Sequence, residues 1–336
     1  MLNVLIDLPR HEPSERQLKE ISGFSIRWVP EPTEHVRSLP EELVKDVDIL
    51  CCTFPPENHS QMKRLKLIQI TSAGYKQLTR QGFPKRGVKA CNALGVFDIP
   101  IGEWNIAMMV NLARDLRAMI RNQEQGVWDR SRQFQHEIRG SIVGIWGYGG
   151  IGRETARLCK ALGMQVHVLT RGGVRPRKDI YVVPGTGDPQ GILPDRVFRM
   201  EEKEHFLRSL DFLVMAIPHT SETEGIVTER ELGMLKQTAC LLNPARGPLV
   251  KEAALIRALT ENRLAGAALD THYQYPLPSD HPLWGMKNVI LTPHISGSSA
   301  SPHYLERVYD ILLNNIKRWE KGAPLLNELS PSELEA

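Results

Sequence analysis

The sequence predicts an α/β protein made of two doubly wound parallel-sheet domains. Three observations carry that expectation. Short apolar, β-branched runs recur with helical stretches between them, the pattern of strands joined by crossover helices. The runs fall into two separate series. Finally, 336 residues, 41% of them hydrophobic, exceed what one compact core holds and supply enough apolar material for two.

The first series comprises Asn3 to Leu8, Ser25 to Val29, Asp48 to Phe54, Leu67 to Thr71 and Val88 to Asn92. The second comprises Ser141 to Trp146, Gln165 to Thr170, Asp211 to Ile217, Ala239 to Asn243, Leu264 to Asp270 and Asn288 to Thr292. Between them, Ile101 to Gln125 places Trp104, Met108, Leu112, Leu116 and Met119 at helical spacing with no internal Gly or Pro. That stretch predicts one helix of about 35 Å, suited to joining domains or subunits. Its apolar repeat is too short for a coiled coil. The segment from Arg171 to Asp195, rich in Gly, Pro and Arg, is long for a connection and reads as a functional or mobile loop. Ser330 to Ala336 reads as a fraying tail.

Composition narrows the function classes. With 42 Lys+Arg against 39 Asp+Glu and a formal charge of +3, nothing calls for nucleic acid or an anionic membrane as partner. The five cysteines, Cys51, Cys52, Cys91, Cys159 and Cys240, show neither a CxxC pair nor metal-ligand spacing and read as reduced structural thiols, with no metal site expected. No apolar stretch reaches the roughly 18 residues of a membrane span, and the opening Met-Leu-Asn-Val-Leu-Ile-Asp reads as a strand without a basic leader. A soluble cytoplasmic protein is expected.

The first chemical signal is Gly147-Tyr148-Gly149-Gly150-Ile151-Gly152. GxGxxG alone is weak. Here it directly follows the strand Ser141 to Trp146, opens an uninterrupted helix from Arg153 to Leu162, and precedes a second strand, Gln165 to Thr170. The first glycine permits the tight turn, the second lets a pyrophosphate approach the backbone, and the third lets helix and strand pack closely. N–H groups at the helix start would hold the phosphates of a dinucleotide. The strand end that normally carries an Asp or Glu for the ribose hydroxyls of NAD carries Thr170, followed by Arg171 and, in the same loop, Arg175 and Arg177. A hydroxyl and guanidinium groups suit a 2′-phosphate, so NADP(H) is expected ahead of NAD(H) as cofactor. The alternative is that Arg171 only stacks on adenine.

Later motifs fall into order behind this turn. Asn243-Pro244-Ala245-Arg246-Gly247, Leu264 to Asp270, and Thr292-Pro293-His294-Ile295-Ser296-Gly297 resemble signatures of the D-isomer-specific 2-hydroxyacid dehydrogenases. Ser72-Ala73-Gly74-Tyr75, Asn92 and Gly102-Glu103-Trp104 match that family's N-terminal half, so the resemblance covers nearly the whole chain. It implies a Rossmann cofactor domain, 98–295, inserted into a flavodoxin-like substrate domain built from 1–97 and 296–336, with the active site in the cleft. Arg246 would bind the carboxylate of a small 2-keto or 2-hydroxy acid, sharing it with backbone N–H groups around Ala73 and Gly74. Tyr75 and Phe54 would line the pocket or pack the domain core. His294 would be the acid-base, because an imidazole titrates near working pH. Asp270 resembles the residue near the nicotinamide carboxamide, and Ile217, Pro218, Thr223, Ala245 and Gly297 lie in segments resembling the family's other cofactor contacts. A homodimer formed through the helix from Ile101 to Gln125 is also implied. His219, His272, His281 and His303 match no acid-base role and read as surface or packing residues.

One position departs from the family. A Glu five residues after the Asp270-equivalent pairs there with the catalytic histidine, and this sequence has Tyr275. A carboxylate beside an imidazolium raises its pKa by about one unit or more, whereas tyrosine can only orient the ring. His294 should therefore stay neutral at lower pH than in relatives carrying Glu. Three readings stay open: a 2-keto acid reductase with an altered pH profile, a formate-like hydride donor dehydrogenase without a proton relay, and a dinucleotide-binding sensor or corepressor-like protein without turnover. Pro276 to Pro282 and Pro293 to Gly297 resemble the formate dehydrogenase branch. Retention of both Arg246 and His294 favours chemistry over sensing.

Overall fold

The computed structural model describes residues 1–335, which form two compact units. The first comprises Met1–Phe97, Lys178–Val183 and the chain from Ser299 onward; the second comprises Asp98–Arg177 and Pro184–Ser298.

In the first unit β1 (Leu2–Asp7), α1 (Glu12–Lys19), β2 (Phe24–Trp28), α2 (Glu41–Val44), β3 (Ile49–Cys52), β4 (Leu67–Ile70) and β5 (Lys89–Cys91) follow in chain order. The strands make a parallel sheet in the order β2-β1-β3-β4-β5. Side chains alternate across a strand, so β3 sends Ile49 and Cys51 into one core and Leu50 and Cys52 into another. Both faces are covered, which is why these runs are continuously apolar.

The second unit opens with α3 (Asp98–Ala113) and α4 (Leu116–Glu124). Then come β6 (Ile142–Trp146), α5 (Gly150–Ala161), β7 (Gln165–Leu169), β8 (Arg196–Phe198), α6 (Lys203–Arg208), β9 (Phe212–Met215), α7 (Glu229–Met234), β10 (Cys240–Asn243), α8 (Glu252–Thr260), β11 (Gly266–Leu269) and β12 (Val289–Leu291). Seven parallel strands run in the order β12-β11-β10-β9-β6-β7-β8. The chain thus leaves β6 toward β8, then returns to β9 on the other side of β6. That reversal opens a crevice at the carboxyl ends of β6 and β9, where ligands of open α/β sheets bind. Two helices complete the first unit, α9 (Tyr304–Glu320), which packs Tyr304, Val308 and Leu312 into the core of Ile49 and Cys51, and α10 (Pro331–Glu335).

Every apolar run of both series is a strand, and the fold is the expected pair of parallel-sheet α/β domains. Three local features differ. The expected single helix from Ile101 to Gln125 breaks between α3 and α4, although it holds neither Gly nor Pro. Asp115 takes a left-handed backbone, φ 43°, and its carboxylate accepts the Ala118 N–H at 3.3 Å as the cap of α4. Arg117 then donates to the carbonyls of Met286, at 2.8 Å, and Val289, which fixes the new direction. The second difference is the three-residue edge strand β8, absent from both series. The third is the C-terminal end, where the expected fraying tail instead forms α10, its start held by Ser330 Oγ donating to Glu333 Oε2 at 2.7 Å and its Leu334 buried in the first unit's core.

The long loop joining β7 to β8 contains no helix or strand, yet buried bonds hold it. Tyr181, 5% exposed, donates its N–H to Asn327 Oδ1 at 3.0 Å. Asp188 accepts the N–H groups of Gly191, Ile192 and Leu193, each at 3.0 Å. All five cysteines are free and buried. No helix among the described residues is long and apolar enough to cross a membrane.

Candidate active site

The glycine turn leaves β6 with Gly147, Gly150 and Gly152 each pressed by a different neighbour. Gly147 has φ 100°, and a Cβ there would lie 2.4 Å from the Ala216 carbonyl oxygen beyond β9. A Cβ on Gly152 would lie 2.5 Å from the Gly147 carbonyl oxygen, so helix and turn pack only without one. Gly149, in contrast, is exposed and has nothing within 4 Å of the place a Cβ would take. It caps α5 with no side chain of its own, which leaves an open approach to the helix start. This cradle fits a dinucleotide pyrophosphate. Tyr148 and Ile151 shape it differently: Ile151 is half-buried at the start of α5, while Tyr148 turns inward. Its hydroxyl donates to Asp188 Oδ2 at 2.7 Å, and the Arg153 guanidinium lies 4.8 Å over its ring. Gly150 lies against Asp98, whose Oδ2 would be 1.9 Å from a Cβ.

Around the adenosine end, Thr170 follows β7 and donates its N–H to Phe198 O at 3.1 Å. Arg171 is exposed and pairs with Glu222, Nη1 to Oε2 at 2.8 Å. Arg175 is also exposed, and its carbonyl accepts Arg153 Nη2 at 2.7 Å. Beyond β9, Ile217 is half-buried and Pro218 exposed. The Thr223 hydroxyl donates to Pro218 O at 2.7 Å and accepts the Thr220 N–H at 2.8 Å, so it closes this loop on itself.

Three adjacent strand ends carry the remaining motifs. After β10, Asn243 Oδ1 accepts the N–H groups of Ala245, at 3.2 Å, and Arg246, at 3.3 Å, while its Nδ2 donates to Arg246 O at 2.8 Å. That ring of bonds fixes the backbone of Arg246, whose exposed guanidinium otherwise touches only the Ala245 carbonyl, at 2.6 Å, among the described residues. Gly247 lets the same loop press on the next one, since a Cβ would lie 2.6 Å from the His272 carbonyl carbon. After β11, Asp270 is fully buried and accepts four bonds from the loop beyond β12. Oδ1 takes the Thr292 hydroxyl at 2.5 Å and the Ile295 N–H at 2.9 Å, and Oδ2 takes the Ser296 N–H at 3.0 Å and hydroxyl at 2.5 Å. Between these anchors His294 sits exposed with φ 55°, its N–H shared between Asp270 O and Thr292 O. Gly297 follows in the same loop.

Tyr275 lies beside the imidazole, with ring centroids 5.6 Å apart and planes tilted by 53°. Its hydroxyl accepts the His272 N–H at 3.2 Å. Partial burial pushes the His294 pKa down, Arg246 and His272 push it further down, and Asp270 opposes them. Arg246 and His294 are thus near enough to repel.

In the first unit the loop after β4 is held by Ser72 Oγ donating to Gly74 O at 2.7 Å and Asn92 Nδ2 donating to Ala73 O at 2.8 Å. The carbonyls are engaged, while the N–H groups of Ala73 and Gly74 take no partner among the described residues. Tyr75 is half-buried and packs on the core that holds Leu78 and Phe83.

Residues 106–296 match the model of the D-isomer specific 2-hydroxyacid dehydrogenase NAD binding domain. The chain belongs to the D-isomer specific 2-hydroxyacid dehydrogenases. A D-3-phosphoglycerate dehydrogenase from Archaeoglobus fulgidus is 30% identical over 81% of this chain, which spans 49% of that longer relative. A glyoxylate reductase from Thermofilum pendens is 28% identical, with 93% of this chain and 89% of the relative aligned. The crystal structure of a D-isomer specific 2-hydroxyacid dehydrogenase from Xanthobacter autotrophicus in complex with NADPH superposes with a TM-score of 0.74 at 25% identity, covering 98% of each chain.

Several residues of this dehydrogenase that hold the site carry weak signals or none in sequence. Trp104 of α3 donates Nε1 to the Thr292 hydroxyl at 3.2 Å, ahead of the Thr292 to Asp270 bond. His272 is buried, which fits the packing alternative of its two readings, and its Nε2 donates to Thr292 O at 2.8 Å. Asn243 was visible as the first residue of its motif, but its clamp on Arg246 was not. Among the described residues no group of three or more His, Cys, Asp and Glu gathers as a metal site.

Proposed function

We propose that this dehydrogenase is a reductase of small 2-keto acids, with NADPH as its preferred reductant and NADH second. The second unit is then the dinucleotide-binding domain and the first the substrate domain. One observation carries the reading: adjacent strands β10, β11 and β12 deliver a fixed guanidinium, a buried carboxylate cradle and an exposed imidazole to one edge of the sheet that holds the glycine turn.

When bound, the reduced nicotinamide supplies a hydride to the carbonyl carbon. Arg246, a planar fork that is always charged, binds the substrate carboxylate and polarises its carbonyl. His294, as imidazolium, donates its proton to the oxygen on which charge develops. In the first unit the N–H groups of Ala73 and Gly74, with Tyr75 next in the chain, are the further candidates for binding a substrate carboxylate. Asp270 aims the histidine through the loop bonds above and, with Ala245, Gly297, Ile217, Pro218 and Thr223, bounds the cofactor. Substrate binding has a further effect. Burial is the main cause of the lowered His294 pKa and Arg246 adds to it; a carboxylate on Arg246 offsets that second part and favours the protonated ring when substrate is bound. For the cofactor, the absence of a carboxylate at Thr170, with Arg171 and Arg175 beside it, supports NADP(H). Val110, Leu116 and Ile120, exposed on α3 and α4, support a homodimer, for which light scattering showing a monomer would be fatal.

The test is cofactor absorbance with glyoxylate, hydroxypyruvate, pyruvate and bulkier 2-keto acids against NADPH and NADH, and with formate against both oxidised forms. Turnover of a keto acid, faster with NADPH, is expected. Oxidation of formate alone, or cofactor binding without turnover at any pH, would overturn the proposal.

A further inference from the structure

We infer that Glu222 sets how strongly this enzyme tells NADPH from NADH, an inference that rests on the cofactor reading above. The crevice lies between two walls, the loop leaving β7 and the loop leaving β9, with β6 and its glycine turn between them. Strands neighbour each other at about 4.8 Å, so these walls stand about 10 Å apart. Arg171 rises from the first wall and Glu222 from the second. Their 2.8 Å ion pair therefore spans the mouth through which the adenosine ribose reaches the turn.

The chemistry of the two groups is opposite. A carboxylate accepts hydrogen bonds from the vicinal hydroxyls of a ribose and repels a 2′-phosphate. A guanidinium binds a 2′-phosphate by charge-assisted bonds and gains little from a bare ribose. Thr170 leaves the β7 wall without the acid that usually reads NAD, and Glu222 supplies one from across the crevice. Both side chains are exposed, 72% and 73%, so the pair is weak and parts readily when a nucleotide enters. NADPH takes Arg171 and meets Glu222 as a like charge; NADH takes Glu222 and leaves Arg171 idle. Each cofactor gains one partner and forfeits the other, which compresses the discrimination Arg171 alone would give.

The experiment titrates the full chain and its Glu222→Gln and Glu222→Ala variants with NADPH, NADH, adenosine 2′,5′-bisphosphate and 5′-AMP, using calorimetry at low and high salt. Removing the carboxylate is expected to tighten NADPH and the bisphosphate by about three- to tenfold, to weaken NADH slightly, and to do so less at high salt. Equal NADPH-to-NADH affinity ratios in wild type and both variants overturn the inference. The two readings fail separately. A wild type that prefers NADH, with variants shifted toward NADPH, ends the NADP(H) preference and keeps Glu222; a wild type that prefers NADPH, with unshifted variants, does the reverse.

Discussion

Replacing Tyr275 by Glu restores a carboxylate beside His294 and tests the acid-base assignment directly. The ring centroids of the present pair are 5.6 Å apart, and Tyr275 is 57% exposed, so the new charge would act through a largely aqueous medium. At a separation of about 5 Å, attraction to an imidazolium is about 0.8 kcal/mol in bulk water and twice that at half the dielectric constant, or about 0.6 to 1.2 pKa units. The sign follows from the chemistry. A carboxylate favours the charged ring, reduction needs that ring protonated, and activity is lost as pH rises through its pKa. The alkaline limb of kcat/KM for keto acid reduction should therefore move up by about one pH unit, and by less at high salt. Tyr275→Phe, which keeps the ring but removes the hydroxyl that accepts the His272 N–H, should leave the limb in place. A Glu variant whose limb coincides with that of wild type would show that His294 is not the titrating acid or that Tyr275 does not adjoin it.

Other expectations separate positioning from chemistry. His294→Gln should lower kcat for reduction by about 10²- to 10⁴-fold in steady-state absorbance assays, and a loss below tenfold would exclude it as general acid. Gly247→Ala puts a Cβ 2.6 Å from the His272 carbonyl carbon and must displace the Arg246 loop. Its kcat/KM should fall by about 10²-fold while far-ultraviolet circular dichroism stays native, and wild-type kinetics would refute the positioning argument. Glu231 is a stability probe. Burial pushes its pKa up, but Lys203 at 2.7 Å and Thr228 at 2.5 Å outweigh burial and bring it to about 2. Its contribution is then present above the unfolded carboxyl pKa and lost as pH falls from about 4.5 toward 2, amounting to about 3 kcal/mol at neutral pH. Urea unfolding should find Glu231→Gln destabilised at pH 7, with the gap to wild type closing in acid.

The strands of both sheets were legible because parallel sheets covered on both faces require uninterrupted apolar runs, and the chain has them at regular spacing. What escaped is instructive in kind. β8 has three residues, of which Arg196 and Val197 face solvent, so it carries no apolar run to read. The break at Asp115 is a tertiary effect. Its left-handed backbone persists because Arg117 finds the carbonyls of Met286 and Val289, some 170 positions later in the chain, and no local propensity encodes that partner.

The candidate site divides along the same line. Which residue types stand in which order was readable, because Arg246, Asp270 and His294 each follow an apolar strand. How they are held was not. Asp270 illustrates the difference: its place after β11 suggested a cofactor neighbour, yet both carboxylate oxygens are engaged by the Thr292 to Ser296 loop. That loop contains His294 at φ 55°, a conformation non-glycine residues rarely adopt, and it needs bonds from outside to persist. Four donors converging on one buried carboxylate supply them, with Trp104 and His272 fastening Thr292 from either side. A catalytic imidazole misplaced by about 1 Å can lose about 10²-fold in rate. A histidine on an exposed loop can keep its place only if the loop itself is anchored in the core, and here the anchor is the acid on the neighbouring strand.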